Sequence, residues 1–176
     1  AIMIAYRRRI YTVREGDSLW SIAAGQGVTV NQLWRNNPNL NGKSEIYPGQ
    51  TLVIEYADAK LGALETTRYV YTFVDRDVIR RTLPYLTYLA IFSYGIRADG
   101  SLIVPDDNEL IQLALEYGAK PMLVLTSLGE DGRFSTETVS RLLNDPVASD
   151  KLISNLVETC EEKDYAAVNS DFEYIP

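Results

Sequence analysis

The chain has 176 residues, 46% of them hydrophobic, and a formal net charge of −7, which suits one medium domain or two small ones with an apolar core. The acidic balance argues against nucleic acid as a partner, because phosphate binding needs a basic surface, and no apolar run reaches the roughly 20 residues of a membrane span. There is no histidine and one cysteine, Cys160, which excludes histidine-dependent catalysis, an intrachain disulfide and a cysteine zinc site.

The first predicted module covers residues 10–56 and has the order strand, helix, helix, strand. Its two strands are predicted near the ends of the module, at residues 10–13 and 51–54. Asp17 or Ser18 can cap the first helix, and Thr29 can cap the second. The Asn- and Pro-rich segment that follows the second helix ends it, and a Pro-Gly turn precedes the closing strand.

The rest of the chain is predicted to be a linker at residues 57–66 and an alternation of strands and helices over residues 67–176. The predicted strands are residues 69–74, 86–94, 120–126 and 166–174, and the predicted helices are residues 75–83, 106–117 and 149–163. Continuous apolar strands separated by helices indicate a parallel sheet that is covered on its faces. Four such steps predict an α/β fold that is the first half of a (β/α)8 barrel, which needs about 250 residues when complete.

The last ten residues of the sequence place two carboxylates two positions apart in an otherwise apolar run. Because side chains alternate along a strand, Asn169, Asp171 and Glu173 should share one face. Like charge and desolvation raise the pKa of a carboxyl, which is how a protein obtains a general acid that works near neutral pH. This segment is therefore the candidate for acid–base chemistry, and the alternative is a pair of solvated acids at a strand end.

The first module closely resembles a LysM domain. Residues 11–23, YTVREGDSLWSIA, match its opening, and residues 36–40 and 46–52 match its second half in order and spacing. The resemblance implies the strand-helix-helix-strand fold and binding of N-acetylglucosamine polymers such as peptidoglycan and chitin. It also implies a groove between two loops, with contacts from Gly16, Asp17, Ser18, Leu19, Asn41 and Ile46. The alternative is that these residues only shape turns and caps, and Trp20 and Trp34 are expected in the core.

The region from residue 67 resembles the first half of a family-18 glycoside hydrolase, in particular the spore-associated, peptidoglycan-cleaving enzymes that carry LysM modules ahead of the barrel. Residues 83–94, LPYLTYLAIFSY, are typical of the second barrel strand of those enzymes. The family signature D-G-x-D-x-D-x-E aligns with residues 166–173, which keep the last Asp as Asp171 and the Glu as Glu173. Ala166, Ala167 and Asn169 replace the other three signature residues.

The family-18 resemblance implies a substrate-assisted retaining mechanism, in which the 2-acetamido oxygen of the substrate attacks the anomeric carbon. Glu173 would protonate the leaving oxygen and later activate water, and Asp171 would hold the acetamido group. Asn169 could still hydrogen-bond Asp171 but could not accept a proton. Other polar residues near predicted strand ends are candidate substrate contacts: Tyr71, Tyr94, Ser127 and Tyr174.

Two function classes follow from these resemblances. The first is an enzyme, a LysM-anchored N-acetylglucosaminidase with Glu173 as its acid and base. The second is a glycan-binding protein with a degenerate or truncated barrel, which the departures at residues 166, 167 and 169 favour. Strands five to eight of a barrel have no counterpart in 176 residues, so we expect the chain alone to be inactive. We expect a fragment of a longer protein, or a half barrel that associates with another copy through its open edges.

The expected partner for both function classes is an N-acetylglucosamine-containing polysaccharide, and neither class requires a cofactor or a metal. The apolar start, residues 1–6, is too short for a signal-peptide core, and residues 7–9 place arginines after it rather than before it. No targeting signal is visible in the sequence. The resemblances nevertheless imply a cell-wall or spore location.

Overall fold

The computed structural model describes residues 8–56 and 62–172, and these residues form two compact units. The first unit holds residues 8–56, 62–65 and 75–85, and the second holds residues 66–74 and 86–172. Residues 75–85, which we expected in the second region, group with the first unit. Glu173, Tyr174 and the first half of the expected linker lie outside the described residues.

The first unit contains a two-stranded antiparallel sheet and three helices. Its elements are β1 (Arg8–Thr12), α1 (Leu19–Gln26), α2 (Val30–Asn36), β2 (Thr51–Tyr56) and α3 (Arg76–Thr82), with 3-10 turns at Pro38–Leu40 and Leu83–Tyr85. Thr12 pairs with Thr51 at one end of the ladder, and the register shifts by a bulge between Arg9 and Ile10. The predicted order of strand, helix, helix and strand is confirmed.

The first two helices begin at side-chain caps that the sequence predicted. Ser18 Oγ accepts a hydrogen bond from the Ser21 backbone N–H at 3.1 Å, and Ser21 Oγ accepts one from the Ser18 N–H at 2.9 Å. Thr29 and Gln32 make the same reciprocal pair at the start of α2. Gly27 ends α1 in the left-handed conformation, with φ of 70°. The start of each of these two helices is therefore determined by a pair of residues that lie within one helical turn of each other.

Asn37 connects the end of α2 to β2. Its side chain is buried, and its Nδ2 donates hydrogen bonds to the carbonyl oxygens of Leu33 and Val53, both at 2.8 Å. Its Oδ1 accepts from the Val53 N–H, also at 2.8 Å. The buried amide is thus satisfied on both its nitrogen and its oxygen, as burial of a polar group requires.

Residues 75–85 belong to the first unit because they pack closely against it. Ile79 and Leu83 are fully buried. Gly42, with φ of 71°, approaches the backbone of α3 so closely that an added Cβ would lie 2.1 Å from the Arg80 carbonyl oxygen. A side chain at residue 42 would therefore collide with backbone that cannot move aside.

The second unit is a parallel sheet with helices. Its elements are β3 (Thr67–Tyr71), β4 (Tyr88–Ile96), β5 (Leu102–Ile103), α4 (Asn108–Glu116), β6 (Lys120–Thr126), α5 (Thr136–Asn144), α6 (Pro146–Lys163) and β7 (Ala167–Asp171). Four strands lie in the order β3-β4-β6-β7, and every neighbouring pair along this order is parallel. The short β5 pairs antiparallel with the end of β4. The predicted parallel sheet is confirmed.

Two features of the second unit were not predicted, the short β5 and the helix α5. Val139 and Leu142 are buried in α5, and Leu143 is the only other apolar residue among its nine. Helix α6 begins three residues earlier than predicted, because Asp145 Oδ1 accepts from the N–H groups of Val147 and Ala148. No helix in the described ranges is both long and apolar enough to cross a membrane.

A buried carboxylate, Asp107, connects β4 to the segment that precedes β7. The phenol groups of Tyr94 and Tyr165 donate to Asp107 Oδ2 at 2.5 and 2.6 Å, and Lys163 Nζ donates to Oδ1 at 2.5 Å. Asp107 is fully buried and Tyr165 is nearly so. Burial, together with the hydrogen bonds to Asp107, raises the pKa of both tyrosines well above the usual phenol value. We name these four residues the Asp107 cluster.

Replacing Asn37 with alanine should lower the free energy of unfolding of the first unit by about 2–3 kcal/mol, because the buried backbone groups of Val53 lose their partner. Asn39 is exposed, so Asn39→Ala is the matched control and should change that free energy by less than about 0.5 kcal/mol. Urea unfolding followed by the fluorescence of Trp20 and Trp34 measures both variants. Equal losses in the two variants would contradict the role given to Asn37.

The raised pKa values of Tyr94 and Tyr165 predict that stability falls at alkaline pH. In the unfolded chain these phenols ionise near pH 10, whereas the folded chain retains their protons, so their contribution is present below pH 10 and is lost above it. Tyr165→Phe should reduce the slope of unfolding free energy against pH by about 1.4 kcal/mol per pH unit above pH 10. The matched control is Tyr47→Phe, which removes an exposed phenol outside the Asp107 cluster. An unchanged slope in Tyr165→Phe would show that this phenol ionises in the folded protein.

Candidate functional site

The candidate acidic site lies on β7, the last strand of the described sheet. Asn169 and Asp171 are half-buried, whereas Ser170, which lies between them, and Val168, which precedes Asn169, are exposed. This alternation confirms that Asn169 and Asp171 share one face of the strand. Asp171 pairs with Thr126 at the carboxyl end of β6. Glu173, the third residue predicted on this face, lies outside the described residues.

A hydrogen bond joins the two outer strands of the described sheet. Asn169 Nδ2 on β7 donates to the hydroxyl oxygen of Tyr69 on β3. Along a flat sheet these strands would stand three strand spacings apart, roughly 14 Å. Tyrosine and asparagine side chains cannot bridge that distance while standing upright on the sheet, so the sheet curves and brings the two strands' side chains together. The concave face therefore carries Asn169 and Asp171 on one side and the tyrosines of β3 on the other.

Thr126 joins the carboxyl ends of β4 and β6 beneath the site. Thr126 is fully buried, and its Oγ1 lies 3.1 Å from Ser93 Oγ and 3.2 Å from the Tyr94 carbonyl oxygen. The Leu128 N–H donates to the same Oγ1 at 3.4 Å. The hydroxyl group of Thr126 thus holds the strand that pairs with Asp171.

Tyr94, a predicted substrate contact, is buried and bonded to Asp107. Its side chain is fully buried, and its phenol belongs to the Asp107 cluster. The β4–β6 register is irregular between Ile91 and Tyr94, so the simple alternation that the sequence suggests does not continue to Tyr94. We therefore leave Tyr94 out of the proposed site.

Tyr71, another predicted contact, lies on β3 beside two aromatic residues that the sequence analysis did not select. Its ring stacks on Phe73 with centroids 5.1 Å apart and meets Phe92 edge-on, also at 5.1 Å. Tyr69 was also missed, although the period of two along β3 places it on the same face as Tyr71. Ser127 is buried, and Tyr174 lies outside the described residues.

The residues expected to form one side of the LysM groove largely build the fold of the first unit. Gly16 has φ of 82°, which favours glycine, and Leu19 is fully buried. Asp17 Oδ2 accepts hydrogen bonds from the Tyr11 hydroxyl at 2.9 Å and from the Arg14 N–H at 2.7 Å. Ser18 is the cap of α1. The alternative interpretation, in which these residues shape turns and caps, therefore describes what their side chains do here.

An open cleft of about 380 Å³ lies on the loop between α2 and β2. Of the predicted contacts, Asn41 lines the cleft, whereas residues 16–19 do not. Ile46, whose chain neighbours Glu45 and Tyr47 line the cleft, has a half-buried side chain. Trp34 Nε1 donates to the Lys43 carbonyl oxygen at 2.9 Å and so holds the cleft's loop. The residues that line the cleft are Asn39, Leu40, Asn41, Lys43, Glu45, Tyr47 and Gln50.

The two tryptophans of the first unit differ in burial. Trp34 is in the core, as predicted. Trp20 is 53% exposed, so the expectation of a core position was wrong for this residue. Trp20 lies on the outer side of α1 and contacts Trp34 only edge-on, with ring centroids 6.3 Å apart. Among the described residues, no group of three or more His, Cys, Asp or Glu side chains could hold a metal ion.

Comparison with known proteins places a LysM domain at residues 11–55. The cortical fragment-lytic enzyme of Bacillus anthracis is 31% identical over 95% of this chain and 51% of its own length. The crystal structure of the Bacillus cereus spore cortex-lytic enzyme SleL superposes with a TM-score of 0.59 at 30% identity, covering 95% of this chain and 40% of that one.

A chitinase from Chromobacterium violaceum shares the fold, with a TM-score of 0.56 at 20% identity over 64% of this chain and 36% of its own. The chain thus spans about half, or less, of the length of the relatives it matches. It contains a LysM domain at residues 11–55, and nearly its whole length is similar in sequence and fold to spore cortex-lytic enzymes.

Proposed function

We propose that the first unit binds a polysaccharide that contains N-acetylglucosamine, of the peptidoglycan or chitin type. The LysM match at residues 11–55 is the observation that carries this proposal. The cleft on the α2–β2 loop offers what such a ligand needs: amide groups from Asn39 and Asn41 for the acetamido group and the exposed ring of Tyr47 for the sugar's C–H face. The similarity to cortex-lytic enzymes supports peptidoglycan of the cell wall or spore as the polymer.

The second unit is proposed to be the first half of a (β/α)8 glycoside hydrolase barrel. Support comes from the four parallel strands, from the curvature that the Tyr69–Asn169 hydrogen bond requires, and from the chitinase-like fold. Barrel active sites form at the carboxyl ends of the strands, and Asp171 lies at the carboxyl end of β7. In this proposal residues 67–176 are the barrel region and residues 57–66 are the linker.

In the proposed reaction, the protonated carboxyl of Glu173 transfers its proton to the glycosidic oxygen as the bond from that oxygen to the anomeric carbon breaks. The acetamido oxygen of the same sugar attacks the anomeric carbon and forms an oxazolinium ion. Asp171 holds the acetamido N–H and stabilises the positive charge on the ring. Water then attacks the anomeric carbon, gives a proton to Glu173 and restores the acetamido group with retained configuration.

Asn169 is proposed to support Asp171 without titrating. One hydrogen of its Nδ2 is donated to Tyr69, and the other remains for the carboxylate of Asp171. An aspartate at this position would provide a site for a proton, whereas an amide provides only a hydrogen bond. Proton exchange between the two residues is therefore absent from the proposed mechanism.

A second candidate function is glycan binding without catalysis. The observation that favours it is Asn169 itself, since the signature carboxylate is replaced and the amide is already bonded to Tyr69. In that case Asp171 and Glu173 would bind the acetamido sugar without cleaving it, and association of open sheet edges with another copy would be compatible with this role. The two candidates differ only in what Glu173 does.

Glycan binding is tested by sedimentation of the 176-residue chain with insoluble peptidoglycan and chitin. We expect the chain to bind, and Asn41→Gly to weaken binding about fivefold, because it removes a side-chain amide from the cleft while glycine keeps the left-handed backbone. Asp164→Gly makes the same left-handed replacement in the second unit and is the matched control. A chain that sediments with neither polymer would refute the proposal.

Catalysis is tested by Glu173→Gln in the full-length protein that contains this chain. Release of reducing N-acetylglucosamine ends from peptidoglycan should fall at least about 100-fold, the usual contribution of a general acid. Glu158→Gln, on the exposed side of α6, is the control and should leave the rate unchanged. An unchanged rate in Glu173→Gln would refute the catalytic role, and the absence of release by the unaltered protein would support the binding function.

A further inference from the structure

A second cleft, of about 290 Å³, lies in the first unit between α2 and the end of β2. It shares no lining residue with the cleft on the α2–β2 loop, and the proposed glycan contacts do not use it. Its lining includes three residues of α2 and three of β2: Gln32, Arg35, Asn36, Ile54, Glu55 and Tyr56. The α2 residues lie on one face of the helix, because Gln32 precedes the other two by three and four positions. We name this feature the Arg35 cleft.

Positive charge is concentrated around the Arg35 cleft, although the chain as a whole has a net charge of −7. Arg35 is exposed, and it has no ion-pair or hydrogen-bond partner among the described residues. The Arg8 guanidinium lies over the ring of Tyr56, 5.9 Å from its centroid. Glu55, the carboxylate in the lining, is paired with Arg9 at 3.4 Å. The cleft therefore attracts an anion, and Arg35 is the group available to bind it.

Neutral hydrogen-bonding groups beside Arg35 are already held in position by the fold. Gln32 Oε1 accepts from the Thr29 N–H at 2.8 Å, which leaves both hydrogens of its Nε2 for a ligand. Asn36 Nδ2 donates to the Ile54 carbonyl oxygen at 2.8 Å, so its Oδ1 remains as an acceptor. Because both amides are oriented before a ligand arrives, bonding to them costs little side-chain entropy.

A short peptide with a free carboxylate has the groups that this arrangement matches. A guanidinium binds a carboxylate through two parallel hydrogen bonds, the Gln32 N–H groups suit a peptide carbonyl oxygen, and the Asn36 oxygen suits a peptide N–H. Peptidoglycan carries acidic peptides on its glycan strands, whereas chitin carries none. We infer that the Arg35 cleft binds a peptide carboxylate of peptidoglycan and gives the first unit a preference for this polymer over chitin. This inference rests on the proposed glycan function and deepens it.

The sign of this preference differs from what the overall charge of the chain would produce. The chain and the carboxylates of peptidoglycan are both negative, so without a specific site they repel each other, and neutralising the carboxylates would strengthen binding. A guanidinium that binds a carboxylate gives the opposite result, since neutralisation then removes the group that it binds. Conversion of the carboxyl groups of the polymer to amides therefore separates the two effects.

The test is sedimentation of the 176-residue chain with three insoluble polymers. These are peptidoglycan, the same peptidoglycan after its carboxyl groups have been converted to amides, and chitin. We expect the chain to bind unmodified peptidoglycan about fivefold more tightly than the amidated form, because one charge-assisted contact on an exposed surface contributes a factor of that size.

The variants assign the preference to Arg35. Arg35→Gln should remove the difference between the two forms of peptidoglycan and leave binding to chitin unchanged, which also shows that the variant is folded. Arg35→Lys keeps the charge without the two parallel hydrogen bonds and should retain part of the difference. Arg14→Gln removes an exposed arginine outside the Arg35 cleft, is the matched control and should leave all three affinities unchanged.

The outcomes separate this inference from the proposed glycan function. If the amidated polymer is bound as tightly as unmodified peptidoglycan, or more tightly, the glycan proposal stands and the carboxylate site is overturned. If Arg35→Gln weakens binding to chitin as much as to peptidoglycan, the role given to Arg35 is overturned. Binding to peptidoglycan that is lost on amidation, without binding to chitin, would support the Arg35 cleft and refute the glycan contact. If the chain binds none of the polymers, both fail.

Discussion

The second unit depends on the compensation of one buried charge, the carboxylate of Asp107. An isolated charge without solvent access costs several kcal/mol, so its partners must be held close. Those partners come from β4, from the last residue of α6 and from the connection between α6 and β7: Tyr94, Lys163 and Tyr165. Asp107 begins α4 but makes no side-chain cap there, because both its oxygens serve this cluster. The position at which β7 enters the sheet, and hence the position of Asp171, follows from these bonds.

The curvature of the sheet brings together side chains from strands that are far apart in the sheet order. A hydrogen bond between Tyr69 and Asn169 requires the two outer strands of the described sheet to face each other. The same curvature brings the tyrosines of β3 and Asp171 of β7 to one concave face. Asn169 makes this contact by donating from its amide to the Tyr69 hydroxyl oxygen, whereas an ionised carboxylate at the same position could only accept.

The LysM motif residues at the start of the first unit build its fold and do not line its cleft. Asp17 and Ser18 satisfy backbone groups of a loop and a helix start, and Leu19 fills the core. The cleft instead lies on the loop that Trp34 holds through the Lys43 carbonyl oxygen. A family motif can thus be essential to a binding domain because it builds the support of the site, even where its side chains face inward.

Local signals in the sequence determined much of this structure. Helix caps at Ser18 and Thr29 need only residues three positions apart, and the alternation that places Asn169 and Asp171 on one face needs only a regular strand. The apolar runs were sufficient to predict a parallel sheet, and the LysM motif was sufficient to predict its domain. Helix α5 was missed because only three of its nine residues, Val139, Leu142 and Leu143, are apolar.

The tertiary structure alone decided the features that depend on distant residues. The side chain of Tyr94 lies in the core, just after the point at which the register between β4 and β6 becomes irregular. The two-residue period of a strand cannot predict such a register shift. Trp20 is exposed because only one side of α1 packs against its neighbours, and a motif does not state which side. Tyr69 meets Asn169 100 positions away because the sheet curves, and Asp107 finds partners more than 50 positions away. Periodicity specifies the face of a regular element, whereas register shifts, curvature and buried charge compensation arise only when separate elements pack together.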